Sequence, residues 1–229
     1  MHMNAKRPTK PNKPNVRPAV PQKRPGRPAK PRRPSTLGRK FPAEPLTRDE
    51  VKRILAACSN RSATGIRARA LIVTFYRAGL RVKEALSLLP KDFDPAAGTI
   101  RVLHGKGDKC RIVGIDAEAI AIISRWLDKR AALGFNGRHP IYCTLRGRPI
   151  QSVFVRNLLK RLARRAGIEK RSNPHSLRHS CAFELANEGT PVHVIQMVLG
   201  HTSLATTDRY IRHLNPMAAI DAMRGRTGW

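Results

Sequence analysis

Six residues of this chain have the types that metal-free chemistry on a phosphodiester requires: Arg81, Lys106, His175, Arg178, His201 and Tyr210. Phosphoryl transfer spreads negative charge over the non-bridging oxygens in its transition state, and planar arginine forks engage such oxygens two at a time. A departing alkoxide needs a proton, and the attacking atom needs orientation. Two arginines, two histidines, a lysine and a tyrosine fill every one of those roles. Arg81 follows a Gly79 helix stop, Lys106 lies between Gly105 and Gly107, His175 and Arg178 are three apart, and Tyr210 comes nine residues after His201.

Taken singly, each has an ordinary reading. Arg81 and Lys106 read as solvated charges, and Tyr210 as a packing tyrosine with a satisfied hydroxyl. His175 and His179, with Cys181 or His201, hint at a metal site, but no glutamate of the H-E-x-x-H kind lies between the pair. No metal and no cofactor is therefore expected.

The elements that would position these residues are mostly helical. Thr47 and Glu50 form a capping box ahead of Val51, Ile54 and Leu55. Helices are predicted over 66–78, stopped by Gly79, and over 81–89, ended by Pro90. Thr99 to Leu103 and Arg111 to Ile115 read as strands of a hairpin turning through Gly105, Lys106, Gly107, Asp108 and Lys109. Asp116 caps a helix running through Trp126 to Arg130, and Ser152 another with Val155, Leu158, Leu159 and Leu162 as its apolar stripe. On that helix Arg156, Lys160 and Arg164 recur every four residues, with Arg161 and Arg165 beside them, as one basic face. Two more helices are predicted, Ser176 to Asn187 and Pro191 to Val198, the latter capped by Thr190. The fold class is mainly α with a small antiparallel β-sheet, that is, α+β.

Charge names the partner class. Lys and Arg number 45 against 15 acids, a net charge of +30, which calls for a polyanion. No apolar run is long enough to span a bilayer and no secretory signal opens the chain, so the expected setting is cytoplasmic and nucleoid-associated, without a membrane. Cys58, Cys110, Cys143 and Cys181 are widely spaced without a CxxC pair and read as reduced core thiols.

Residues 1–40 differ from the rest. They hold 13 Lys or Arg, no acid and nine of the 18 prolines, the composition of a disordered, extended basic arm. Within it Lys23, Arg24, Pro25, Gly26, Arg27 and Pro28 are similar to an AT-hook, in which Arg27 enters a narrow minor groove. A basic tail acting by charge alone is the plainer reading. Residues 41–229 are the expected catalytic domain.

The folded part resembles the tyrosine recombinases, the phage-integrase family. Tyr76 to Leu86, with Arg81 at its centre, is similar to the family's first arginine box, and Pro174 to His179 to its His-x-x-Arg box. Leu199, Gly200 and His201, followed by Thr206, Thr207 and Tyr210, resemble the stretch holding the second histidine and the nucleophilic tyrosine. The resemblance implies the integrase catalytic fold. It also implies site-specific recombination of double-stranded DNA through a 3′-phosphotyrosyl bond, without metal or ATP, on a homotetramer that an accessory DNA-bending protein could assist. By the same resemblance Tyr210 attacks, Arg81 and Arg178 clamp the phosphate, and Lys106 protonates the leaving 5′-oxygen. His175 assists proton transfer, His201 bonds the phosphate, and Glu84 orients Arg81 from one helical turn away. Lys109, Arg111, Arg156, Lys160 and Arg164 are candidate DNA contacts. The 40 residues ahead of the fold are too few and too proline-rich for the core-binding domain of most such enzymes, which makes the chain similar to the compact fimbrial phase-switch recombinases. The other readings are a non-catalytic DNA-binding or nucleoid-type protein, a degenerate integrase fragment and a type IB topoisomerase. The stretch between His179 and Asp208 contains no Lys or Arg, unlike a recognition helix.

Overall fold

The computed structural model describes residues 44–103, 110–201 and Arg224. The chain divides into Met1–Arg39 and Lys40–Trp229, and every described residue lies in the second unit. Arg27, Lys106, Lys109 and Tyr210, and with them the arm and the hairpin turn, lie outside the described residues.

In chain order the described elements are α1 (Arg48–Ala56), α2 (Ala63–Arg77), α3 (Val82–Ser87), a 3₁₀ turn (Pro90–Asp92), β1 (Phe93–Asp94), β2 (Thr99–Val102), β3 (Arg111–Gly114), α4 (Ala117–Ala132), α5 (Ser152–Arg165), α6 (Pro174–Asn187) and α7 (Val192–Leu199). This is the helix-rich architecture with a small antiparallel sheet that the residue pattern predicts. Both halves of the Thr47–Glu50 capping box form, with Oγ1 accepting from the Glu50 N–H at 3.2 Å and Oε2 from the Thr47 N–H at 2.8 Å.

Helix α2 is the centre. Eleven of its fifteen residues are buried, so it has no solvent face to spare and packs against both α4 and α6. Ala70, Leu71, Ile72 and Phe75 are at most 1% exposed, and each large apolar side chain so buried contributes about 1.5–3 kcal/mol. Trp126 of α4 closes the core and donates its indole N–H to the Ile141 carbonyl at 2.7 Å.

Several boundaries differ from expectation. The helix after Arg81 is short, because Pro90 opens a 3₁₀ turn whose Asp92 carboxylate accepts from the Leu89 N–H at 3.0 Å. That turn delivers β1, a third strand of two residues that has too little periodicity to read in sequence. The N-cap position is Gln151 rather than Ser152 in α5 and Pro191 rather than Thr190 in α7, neither making a side-chain cap bond. Helix α6 starts two residues earlier than predicted because Asn173 caps it, its Oδ1 accepting from the N–H groups of His175 at 2.8 Å and Ser176 at 3.0 Å. Cys58, Cys143 and Cys181 are buried free thiols as expected, whereas Cys110 is exposed.

The sheet order is β1-β2-β3, antiparallel throughout. Ile100 pairs with Val113 and Val102 with Arg111, so the two-residue period carries Arg111 to the buried face and turns Ile112, 67% exposed, outward.

Arg130 on α4 is 3% exposed and donates to four carbonyls, those of Phe135 (3.1 Å), Asn136 (2.7 Å), His139 (2.5 Å) and Pro140 (3.2 Å). It therefore holds the whole 135–140 connection. Replacing it with methionine keeps the stem but strands those acceptors, and a loss of about 2–4 kcal/mol in unfolding free energy is expected from urea titration. A change below about 0.5 kcal/mol, the range of an ordinary surface substitution, would contradict that role.

Candidate active site

Three chain segments meet at the C-terminus of α7. The first is the turn after α2. Gly79 takes φ +59°, a backbone angle that side chains disfavour, and a Cβ there would lie 3.0 Å from Leu199 and 3.3 Å from the Cys181 sulfur. The fully buried Leu80 pins the next residue, and Arg81 becomes the N-cap of α3.

The second segment is α6. Pro174 occupies its first turn and the Asn173 cap fixes the start, placing His175 exposed at the opening of the helix and Arg178 one turn on, 3% exposed. The His175 and His179 rings meet edge to face with centroids 4.1 Å apart.

The third is the end of α7. Gly200 ends it in the left-handed region at φ +61°, its N–H reaching the Met197 carbonyl at 3.1 Å while the His201 N–H reaches that of Gln196 at 3.1 Å. This Schellman pattern sets His201 at a fixed point just past the helix. The last carbonyls of a helix lack partners within it, and here arginines supply them. Arg111 Nε donates to Val198 at 3.2 Å, Arg178 to Leu199 and to Gly79, and Arg81 Nη2 to Gly200 at 2.9 Å.

Glu84 ties two of these together. Its Oε1 accepts from Arg81 Nη1 at 2.7 Å and its Oε2 from the Arg81 N–H at 2.8 Å, the geometry expected of an orienting carboxylate. The same two oxygens accept from Arg111 Nη1 at 3.1 Å and Nη2 at 2.8 Å. Burial opposes the charge on Glu84, but the bonds from Arg111, the Arg81 N–H, the Arg111 charge and the Arg81 side-chain bond outweigh it and bring the carboxyl down to about 2. The acid stays ionised at any working pH.

The histidines are also lowered, which for them favours the neutral form. Burial, then the charges of Arg178 and Arg81, lower His201 to about 4, and burial with Arg178, Arg171 and Arg81 lowers His175. Burial, with His175, Arg178 and His201 behind it, takes His179 to about 3. These imidazoles are neutral at pH 7 and can accept a proton. Because their folded values lie below the usual 6.5, the unfolded chain binds more protons between about pH 6.5 and 4. Unfolding free energy is accordingly expected to be full above pH 6.5 and to fall as acid carries the chain through that window. Urea midpoints at pH 7 and pH 5 check this, and equal midpoints would contradict it.

Arg156, Lys160 and Arg164 are all exposed on α5 and border an open groove of about 650 Å³ that runs past Lys170 and Arg171 to Asn173, the cap of the helix carrying His175. Arg161 and Arg165 border a different groove, with Phe154, so the five basic residues make two flanks and not one face. Arg111 needs a correction too. Named above as a candidate DNA contact, it faces inward, its side chain only 13% exposed and its fork spent on Glu84. Among the described residues no three His, Cys, Asp or Glu are grouped to hold a metal ion, and no helix is long and apolar enough to cross a membrane.

Arg81, Arg178 and His201 thus gather at the end of α7, with His175 nearby. A family model, described as the phage integrase family, matches residues 44–216. The chain belongs to the phage integrase family. Curated relatives include the tyrosine recombinases XerD of Ralstonia nicotianae, 36% identical over 72% of this chain and 54% of that protein, and of Pseudomonas putida, 38% identical over 76% and 58%. The chain thus spans a little over half the length of these relatives. Among solved structures, the XerA recombinase superposes with a TM-score of 0.71 at 29% identity over 88% of this chain and 68% of that one. The XerH site-specific recombinase bound to palindromic difH substrate, a post-cleavage complex, superposes at 0.68 with 30% identity over 83% and 55%. The integrase catalytic fold is therefore shared with DNA-bound recombinases.

Sequence reasoning missed Asn173 at this site, although an asparagine just before a proline is a legible signal; it singled out Arg111 but not its inward direction, which depends on strand register.

Proposed function

We propose that this chain is a site-specific DNA recombinase that breaks and rejoins strands through a 3′-phosphotyrosyl intermediate. The observation that carries the reading is the convergence of Arg81, Arg178 and His201 at one end of α7, with His175 opening the neighbouring helix.

Tyr210 Oη attacks the scissile phosphorus, forming the P–O(Tyr) bond as the P–O5′ bond breaks. The phenolic proton passes to a neutral imidazole, a role that suits His175, and Lys106 gives the leaving 5′-oxygen its proton. Arg81 and Arg178 stabilise the non-bridging oxygens while His201 donates to one of them. A 5′-hydroxyl of a second strand then attacks the phosphotyrosine and frees Tyr210, so the number of phosphodiester bonds is unchanged. The chemistry needs no metal and no nucleotide.

Double-stranded DNA is the substrate, tracked by Arg156, Lys160 and Arg164 along the α5 groove, with Lys109 as a further contact. Strand exchange between two sites calls for a homotetramer, and the cell compartment is the one that holds the DNA, the cytoplasm.

A nicked suicide substrate, whose 5′ fragment diffuses away after cleavage, tests the reading. A covalent protein–DNA adduct is expected with no metal and with chelator present. DNA binding without any adduct would leave only a DNA-binding protein.

The arm adds affinity and no chemistry. Removing residues 1–40 takes away 13 of 45 cationic residues and no acid, leaving 32 against 15, or +17. The shortened chain is expected to bind DNA with a flatter dependence of log affinity on log salt. An Arg27→Ala change that costs more than Arg7→Ala on A-tract DNA would mark a minor-groove hook; equal costs mark a basic tail. An unchanged salt slope after truncation would remove the arm from the interface.

A further inference from the structure

An arginine turned inward beside an isoleucine turned outward inverts the usual alternation of an edge strand. Arg111 is 13% exposed at its side chain and Ile112 67%. Desolvating a guanidinium costs free energy unless the site returns it through bonds, and breaches of pattern of this kind gather where function requires them.

The returns are specific. Arg111 presents two parallel N–H groups to the two oxygens of Glu84, at 3.1 and 2.8 Å, and its Nε to the Val198 carbonyl at 3.2 Å. The guanidinium lies against Gly200, where a Cβ would approach Nη1 to 2.8 Å and Cζ to 2.9 Å, so the contact requires glycine. Glu84 meanwhile holds Arg81 by side chain and backbone.

The charge arithmetic gives the arrangement its purpose. Arg81 and Glu84 alone form a neutral pair, with an ionised carboxylate 2.7 Å from the guanidinium that should meet phosphate. Adding Arg111, which shares both Glu84 oxygens with Arg81, brings the trio to one net positive charge. The carboxylate then keeps its aim on Arg81 while its charge is offset elsewhere.

We propose that Arg111 is a positioning residue for strand cleavage, offsetting the charge of Glu84 and fixing the end of α7 so that the positive charge of Arg81 is not cancelled where it meets the scissile phosphate. This rests on the recombinase reading above. Arg111 touches Glu84, Val198 and Gly200, and acts on DNA only through Arg81.

The test uses the full chain, the suicide substrate and three variants: R111M, E84Q and E84Q/R111M. R111M is expected to slow single-turnover adduct formation at least roughly tenfold, short of the 10²–10³ that follows loss of a direct oxyanion donor. Its DNA affinity and salt slope stay at wild-type values, since no phosphate contact is lost. The distinguishing result is the double variant. E84Q/R111M removes both charges together and leaves the Arg81 charge with no carboxylate beside it to cancel it, so it is expected to cleave several-fold faster than R111M, whereas damage to structure alone would accumulate. A salt slope reduced by about one in R111M would make Arg111 a phosphate contact and overturn the proposal. A double variant as slow as R111M or slower would overturn it as well. Should R111M fold too poorly to assay, E84Q/R111M is compared with wild type directly: cleavage within about tenfold supports the proposal, and a loss as deep as that of Arg81→Ala overturns it. Absence of any adduct from the wild-type chain would overturn the recombinase reading, a result distinct from a wild-type adduct with no rescue.

Discussion

Tyr210→Phe is expected to abolish covalent attachment to DNA while leaving affinity for a single site unchanged. Only the attacking oxygen is lost, and with it the bond that defines the intermediate. Loss of a nucleophile costs on the order of 10⁶ in rate in the best-studied case, a hydrolase whose nucleophile acts as part of a triad, so any residual adduct should lie below detection. Arg178→Ala should also remove cleavage, by about 10²–10³ or more, because charge building on the non-bridging oxygens loses a fork. That variant carries a structural penalty too, since Arg178 is the donor to the Gly79 and Leu199 carbonyls that join the α2 turn to α7. Melting and DNA binding separate the two effects, as Tyr210→Phe should leave both intact. An adduct of normal yield from the phenylalanine variant would move the nucleophile to another residue and remove Tyr210 from the mechanism.

The contrast between those variants follows what each residue does in the fold. Arg178 is buried and holds backbone, so its position follows from α6 packing against α2, and the Asn173 cap and Pro174 that start α6 are written in the local sequence. The Gly79 stop and the Thr47–Glu50 box are equally local, and all three were open to a reading of short-range chemistry. Residues whose environment is set at long range were not. Arg111 follows a segment expected to turn and has the look of an exposed strand end, yet pairing with Val102 turns it to the core. A slip of one residue would reverse that, and composition carries no trace of it. Strand β1 escaped for a similar reason, since two residues become a strand only when β2 lies beside them. Basic residues at four-residue intervals on α5 signalled a face, but which neighbour borders each flank was fixed by tertiary packing.

Lys106 is the residue whose role is most sharply testable, because general-acid catalysis depends on the leaving group and charge clamping does not. Lys106→Ala should slow cleavage of an ordinary phosphodiester by about 10²–10⁴, the range of a lost general acid. With sulfur in the 5′-bridging position the leaving group departs as a thiolate, which needs no proton. That substrate should therefore bring the Lys106 variant close to wild-type rate, while Arg178→Ala stays slow, since its deficit is on the non-bridging oxygens that the substitution leaves unaltered. Arg81→Ala belongs with Arg178 in this scheme, and R111M with both, because Arg81 and Arg178 act on the charge of the phosphate and Arg111 acts through Arg81. Rescue of the lysine and arginine variants to the same degree would mean that bond breaking had simply become easy for any enzyme form, and the assignment of Lys106 as the acid would fall. Failure of the sulfur substrate to rescue the lysine variant would place Lys106 with the arginines, as a clamp on the phosphate with no proton to give.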